Sequence, residues 1–445
     1  MNFGSRPEFP DLDPFDLDPA VGSNEGSIAE DLGELSVNET DQNNLATDAQ
    51  LQLLSEDIQP SGEFQEDATF LQSADFEPDI ASHLPPPVPV QSPCDGYLPP
   101  PELGTSLLAE FLTDLNTACP LYQPHVIADH LRVCYAGLSD GSAVAWTNAY
   151  VVFGMAHNLR AMSTTGTIHD MEMAQYYLAR VYTSLNRLLT APPSLGQVQC
   201  LVGVAMLIMS SPCSYNKSEG HFISTALRIA RSLAYSRDTT GPTTTSHDNS
   251  QLLRVFWIAF ILDSDLSILN NTPRTYQLDD VAECADVVAN ELGTVTAAEG
   301  GWQVHIFFLS TRLALLQTEA IDQVLSLKAR NMSPLELTAA ATIVLARLQN
   351  FHEQHQVFQL DANQLFQLLY QSDVVHCVGL ESKYFATIYR LHAFMALGMD
   401  AKINPFEREG LEMMSKVKQH KVVREAKRLL SLLTVAPRGN IALYW

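Results

Sequence analysis

No C-x-x-C pair occurs in this sequence, no stripe of basic residues, and no apolar run long enough to span a bilayer. Each absence removes a class of protein. The seven cysteines, at positions 94, 119, 134, 200, 213, 284 and 377, lie at least 13 residues apart. Such spacing builds neither a zinc ribbon nor a disulfide framework. Several sit in apolar runs such as "QVQCLVGVAMLIM", so we expect reduced, buried thiols of an intracellular protein. The amino terminus "MNFGSRPEFPDLDPF" lacks the basic-then-apolar order of a secretory signal. The apolar stretch 195–216 is interrupted by Gly, Gln, Ser and Pro, so no membrane span is expected. Neither a G-x-S-x-G elbow, a phosphate loop nor a G-x-G-x-x-G turn is present, and no catalytic residue, cofactor or metal is expected.

Positive charge is scarce and unevenly placed. Residues 1–100 hold 21 of the 51 acidic residues and a single basic one, Arg6, whereas the remaining residues are nearly balanced. Phosphate neutralisation supplies most nucleic-acid affinity, so direct DNA binding by this chain alone is not expected. The acidic part carries Asp, Glu, Ser, Gln and Pro without an apolar period and ends in "HLPPPVPVQSPCDGYLPPPELG". It has too little apolar surface to offset an ordering cost of roughly 1–2 kcal/mol per residue. We therefore expect a disordered acidic, proline-rich tail over 1–103 and a helical domain over 104–445.

Helical periodicity fills the second part. Leu107, Leu108, Phe111, Leu112 and Leu115 share one face, as do Met173, Tyr177, Leu178, Val181, Leu185 and Leu188. Ser194 and Gln197, and Ser333 and Glu336, have capping-box spacing, with Pro334 in the first turn of the second helix. No alternating stretch of useful length occurs, and no repeat. The fold class is all-α, a large array of more than ten helices, with loops near 211–220 and 238–249.

One apolar helix, "LLRVFWIAFILDSDLSILN" (252–270), contains Asp263 and Asp265. A buried carboxylate needs a partner, and the nearest helical cation in sequence is Arg228 of "FISTALRIARSLAYSRD", so an Arg228–Asp263 pair is expected. Two positions apart, the acids point to different sides and share neither a proton nor a metal. His352 and His355 in "FHEQHQ" lack metalloprotease spacing and read as a solvated face. Asp170 suits a helix start. The basic run "KVKQHKVVREAKR" (416–428) is an import signal or, better, an amphipathic helix with Val417, Val422, Val423 and Ala426 inside. In the tail, Phe9, Leu12, Phe15 and Leu17 alternate with Asp11, Asp13, Asp16 and Asp18. That pattern suits coupled folding into a coactivator groove, or plain solubilisation.

The blocks "YYLARVY" (176–182), "PSLGQVQ" (193–199), "ALRIARSLAYSRD" (226–238) and "LRVFWIAFILDSDLSILNNTPRTYQLDD" (253–280) stand in a distinctive order. Together they resemble the middle homology region of fungus-specific transcription factors of the binuclear zinc cluster class. Arg228, Trp257, Asp263, Ser267 and Pro273 match that family's motif. Ala234-Tyr235-Ser236 stands for its Gly-Leu-His, and Asn271-Thr272-Pro273 for its Gly-Arg-Pro. The six-cysteine zinc block of the family is missing, since residues 1–93 contain no cysteine, and the sequence stops at "PRGNIALYW", where the family continues.

The resemblance implies a nuclear transcription regulator, shuttling with the cytoplasm being compatible, that works as activator or co-regulator without its own DNA reader. Its partners would be the transcription machinery or a DNA-binding chain, a homo- or heterodimer mate, and a small-molecule effector. The alternative is a small-molecule-binding or scaffolding protein that retains the fold. Light proteolysis is expected to leave a fragment beginning near residue 104. A resistant fragment that keeps the first 60 residues would contradict that boundary.

Overall fold

The computed structural model describes residues 98–163, 166–210, 218–240, 246–270, 272–277, 281, 293–298, 300–397, 404–417 and 420–436. The expected disordered tail lies outside them up to residue 97, but its last residues, 98–103, are structured: Leu98 is buried and the first helix already begins at Pro101, where proline suits a helix start. Among the described residues there are thirteen α-helices and one two-stranded ladder. The helices are α1 (Pro101–Glu110), α2 (Pro124–Tyr135), α3 (Ala143–Met162), α4 (Ile168–Leu189), α5 (Leu195–Met209), α6 (Glu219–Thr240) and α7 (Ser246–Asn270). After the ladder of β1 (Val295–Thr296) and β2 (Gln303–Val304) come α8 (Ile306–Ala320), α9 (Pro334–Gln354), α10 (Ala362–Leu368), α11 (Gln371–Leu397), α12 (Arg408–Ser415) and α13 (His420–Leu433). Thus α6 and α7 extend into the stretch expected as a loop at 238–249. Among the described residues the hairpin is the one departure from all-helical structure, pairing Val295 with Val304 around Gly300 at φ 72°.

Local chemistry sets the helix starts. Thr167 and Asp170 cap α4 reciprocally, Ser333 and Glu336 cap α9, and Asp361 and Gln364 cap α10. At α5 only half of the expected box forms. Ser194 accepts from the Gln197 backbone, but the Gln197 amide turns away and donates to the carbonyls of Leu188 and Ala191 at the end of α4. A glutamine side chain buried to 1 % exposure thus satisfies carbonyls that α4 leaves without helical partners. Helix α1 begins at Pro101, ahead of Gly104. There the Tyr135 hydroxyl, donating to Pro99 at 2.8 Å, occupies the space a Cβ would need.

Two hydrophobic cores result. The first gathers α1 to α7, with α5 buried at every position from Cys200 to Ile208. Gly203 permits this, because a Cβ there would meet Val151 of α3 at 2.6 Å. The second gathers α8 to α11, the hairpin and Leu432 of α13. Helix α7 belongs to the first core, packing on α5 and α6, yet its other side packs on α8 and α11. No described helix is long and apolar enough to cross a membrane.

A second link joins the cores. After α1 the chain widens into a π-helical turn, Phe111–Leu115, a geometry that displaces one carbonyl from the regular ladder. His376 of α11 donates through Nε2 to the Asp114 carbonyl at 2.7 Å. Burial, only partly offset by this bond, holds its imidazole down at about 4. In the unfolded chain histidine titrates near 6.5. Between those values the unfolded state binds the extra proton, so this contribution is present above pH 6.5 and is lost as pH falls towards 4. Its full size is about 3 kcal/mol. Neighbouring Asp373, raised to about 6 by burial and then by Asp114, acts in the opposite sense over much of that window. The comparison of wild type with His376→Gln isolates the histidine. Urea unfolding at pH 7 and pH 5 should show the wild type losing more stability than the variant; equal losses would refute the assignment.

Candidate functional site

The geometry centres on α7. It ends at Asn270, and the chain reverses through Pro273, so that Arg274, Thr275 and Tyr276 fold back along the helix they follow. Thr275 caps Asp263 with its backbone N–H (2.9 Å) and its hydroxyl (3.2 Å). The Arg274 guanidinium lies 3.9 Å from the same carboxylate and 4.3 Å above the Phe260 ring. With 3 % of its side chain exposed, Arg274 has no hydrogen-bond partner among the described residues for any of its three nitrogens. The ring face and the surrounding carboxylates replace hydration as its solvation. Burial brings its pKa down to about 10, opposed by Asp263, Asp322 and Asp265. Burial also raises the Asp263 carboxyl, against the Thr275 bonds and the Arg274 charge.

Asp265 looks the other way. Its Oδ2 is 2.7 Å from Nζ of Lys383 on α11, an ion pair without hydrogen-bond alignment. Its Oδ1 accepts from the Gln317 amide of α8 at 2.9 Å, and that amide also reaches Thr387 of α11 at 3.1 Å. One acid therefore fastens the turn after α7, and the other fastens α8 and α11. A pair of carboxylates facing separate cations has neither the shared proton nor the spare acid needed for general acid–base work.

The expected Arg228–Asp263 pair is not formed. Arg228 lies on the exposed face of α6, while Arg274 supplies the cation. The physical reason is the reversal at Pro273, which returns a cation from the chain immediately following the helix. The other motif residues differ in environment. Trp257 is fully buried, edge-on to Phe256 and Phe260; Ser267 is buried; Pro273 is exposed at the turn. Tyr276 donates to the Leu227 carbonyl of α6 at 3.5 Å and lies under Arg231, tying the turn to α6. Phe9, Leu12, Phe15 and Leu17 lie outside the described residues.

A second buried carboxylate cluster was missed by reading "FHEQHQ" as a solvated face. His352 is sandwiched between Phe358 and Tyr384, with ring centroids 4.7 and 4.5 Å away, and contacts Glu381 at 3.3 Å. Arg428 of α13 reaches the same Glu381 oxygen at 2.9 Å and the Leu360 carbonyl at 3.1 Å. Ligand atoms of His352, Glu381 and Glu425 lie close enough for a metal. The guanidinium on Glu381 already supplies the positive charge, so the donor set fits an ion network rather than a metal centre. From His420 onward the basic run belongs to α13, whose Arg428 is a strut to Glu381, while Val423, expected inside, is exposed. Cys119, Cys200 and Cys377 are free thiols; burial pushes Cys119 and Cys377 up to about 12.

Removing Asp263 strands Arg274 in an apolar site, so Asp263→Ala should cost about 3–5 kcal/mol. Arg228→Ala, on an open face, should stay within about 0.5 kcal/mol. Combining Asp263→Leu with Arg274→Met should recover much of the loss. Denaturant midpoints of these variants decide the matter: a costly Arg228→Ala with a harmless Arg274→Met would overturn the pairing.

Three curated relatives place this architecture in context. An "ABC-transporter-regulating transcription factor" of Aspergillus fumigatus is 26% identical over 243 residues, covering 54% of this chain and 27% of the relative. A protein of the same name from Aspergillus oryzae matches with the same identity and coverage. The "Fusaridione A cluster transcription factor fsdR" of Fusarium heterosporum is 22% identical over 214 residues, covering 48% of this chain and 40% of its own length. The chain thus matches well under half the length of each. No family model matches the chain, and no solved structure does. These three relatives of the chain are fungal transcription factors.

Proposed function

We propose that the chain is a transcription regulator of the fungal type, acting in the nucleus as activator or co-regulator. Its helical body would be the regulatory and dimerising part, and DNA recognition would come from a DNA-binding partner chain. The observation that carries this reading is that the homologues, from three fungi, are all transcription factors. The ordered blocks of 176–280, which form α4 to α7 and the turn that locks them, support it. The ion-paired state of Asp263, Asp265 and Glu381 supports a structural use of the buried acids, and no catalysis is proposed. A small-molecule-binding or scaffolding role on the same fold is the second reading, favoured by a cleft beside α2.

In this proposal the tail, 1–103, supplies activation. Phe9, Leu12, Phe15 and Leu17 would make the contacts, while the aspartates keep the segment open and steer it towards basic grooves. Residues 1–60 fused to an unrelated DNA-binding domain should switch on a reporter. Changing Phe9, Phe15 and Leu17 to Ala should abolish most of that activity at unchanged net charge, whereas one or two Asp→Asn changes should weaken it only partly. A silent parent fusion would reduce the tail to a solubilising segment, and a fully active triple variant would refute the contact residues.

A further inference from the structure

We propose that a cleft of about 320 Å³ between α2, the first turns of α3 and α5, and Gln251 of α7 binds an uncharged, partly apolar organic molecule bearing amide- or hydroxyl-type groups. Its volume lies within the range of small-molecule sites.

The floor is built to keep its shape. The Asn116 side chain pairs with the backbone of Tyr122 in both directions, each at 2.9 Å. Gln199 of α5 and Gln251 of α7 both donate to the Leu121 carbonyl, at 2.8 and 2.9 Å, and Gln251 also reaches Pro120. The Tyr122 hydroxyl donates to Asn148 at 2.6 Å, and the Asn148 amide donates to the carbonyls of Val144 and Gly196. Side chains from three helices thus immobilise one turn, and their own hydrogen-bonding capacity is largely used. A ligand entering this cleft orders little, which lowers the cost of binding.

The lining then selects the ligand. Val126, Ile127, Val144 and Leu195 supply apolar wall. No Lys or Arg lines the cleft, and its one carboxylate, Asp140, has an oxygen occupied by the Ser142 N–H at 2.8 Å. An anion would find neither lysine nor arginine, only the His130 ring already engaged with the Ala145 carbonyl at 2.8 Å, and would face Asp140. A cation would find neither a free buried acid nor an aromatic cage. Among the described residues the Gln123 amide and the Gln199 side-chain carbonyl have no partner, so a donor and an acceptor remain on offer. At the lip, Val126 is 51 % exposed.

This inference is independent of the transcriptional proposal, because it is read from binding in solution and not from a reporter. Equilibrium dialysis of the full chain with three probes of one shape tests it: naphthalene-2-carboxamide, naphthalene-2-carboxylate and 2-naphthylmethylammonium. The carboxamide should saturate a single site with half-saturation at or below about 1 mM, and the two ions should bind at least about tenfold more weakly. Val126→Trp should close the mouth and abolish binding. Gln123→Ala should weaken it about threefold to tenfold. Val126 is exposed and the half-buried Gln123 side chain makes no hydrogen bond among the described residues, so the melting temperature should hold. No saturable carboxamide binding, equal binding of all three probes, or binding unmoved in both variants would overturn the proposal.

Discussion

Everything in the second half of this fold hangs on how one apolar helix carries two negative charges. Helix α7 is enclosed by α5, α6, α8 and α11, so Asp263 and Asp265 keep little water to solvate them. The chain answers with two separate cations, Arg274 for the first and Lys383 for the second. Because the cations come from different directions, the charges are converted into fasteners. Arg274 holds the chain reversal after α7, and Lys383 holds α11 against it. A buried ion pair contributes little net stability compared with apolar side chains of the same volume, but it penalises any arrangement that leaves one partner behind. The pairing therefore acts on which packing is allowed more than on how stable that packing is.

The same logic extends outward. Both π-helical turns adjoin this region: Phe111–Leu115 offers the Asp114 carbonyl to His376, and Ile321–Leu325 places Asp322 within the field of Arg274. Glu381, two residues before Lys383 and so on another side of α11, draws His352 and Arg428 from α9 and α13. Helix α11 thus collects α7, α8, α9 and α13 through polar side chains set in an apolar surround. A change at one strut is felt by several helices, because a packed core does not deform gradually.

The parts of this plan that depend on local chemistry were legible in the sequence. The all-α class, the buried face of α4 and the capping box at Ser333 follow from apolar spacing and from short-range hydrogen bonding, which neighbours in sequence decide. The identity of Asp263's partner did not follow. Arg228 is the obvious candidate if helices are treated as straight rods laid side by side, but the turn at Pro273 brings Arg274 back over Phe260 within the quoted stretch itself. His352 was misjudged for a related reason. Its neighbours in sequence, Glu353 and Gln354, are polar, and nothing local reveals that Tyr384 and Glu381, on a helix formed much later, close over it. The half-formed box at Ser194 shows the limit in miniature, because the tertiary demand of the α4 carbonyls outbids the local bond for Gln197. What the sequence offers for function, the ordered blocks of 176–280, is a resemblance rather than a constellation of reactive groups.

Native-state amide hydrogen exchange on the full chain bears most directly on the claim that the α7 acids bind the two cores into one cooperative unit. Amides of residues 257–268 in α7 and 380–391 in α11 should exchange with the same free energy and the same denaturant dependence, as expected for groups released together by global unfolding. If the α11 amides open at a free energy a few kcal/mol lower while those of α7 stay protected, the second core unfolds on its own and the fasteners at Asp265 and Lys383 do not perform the role assigned to them.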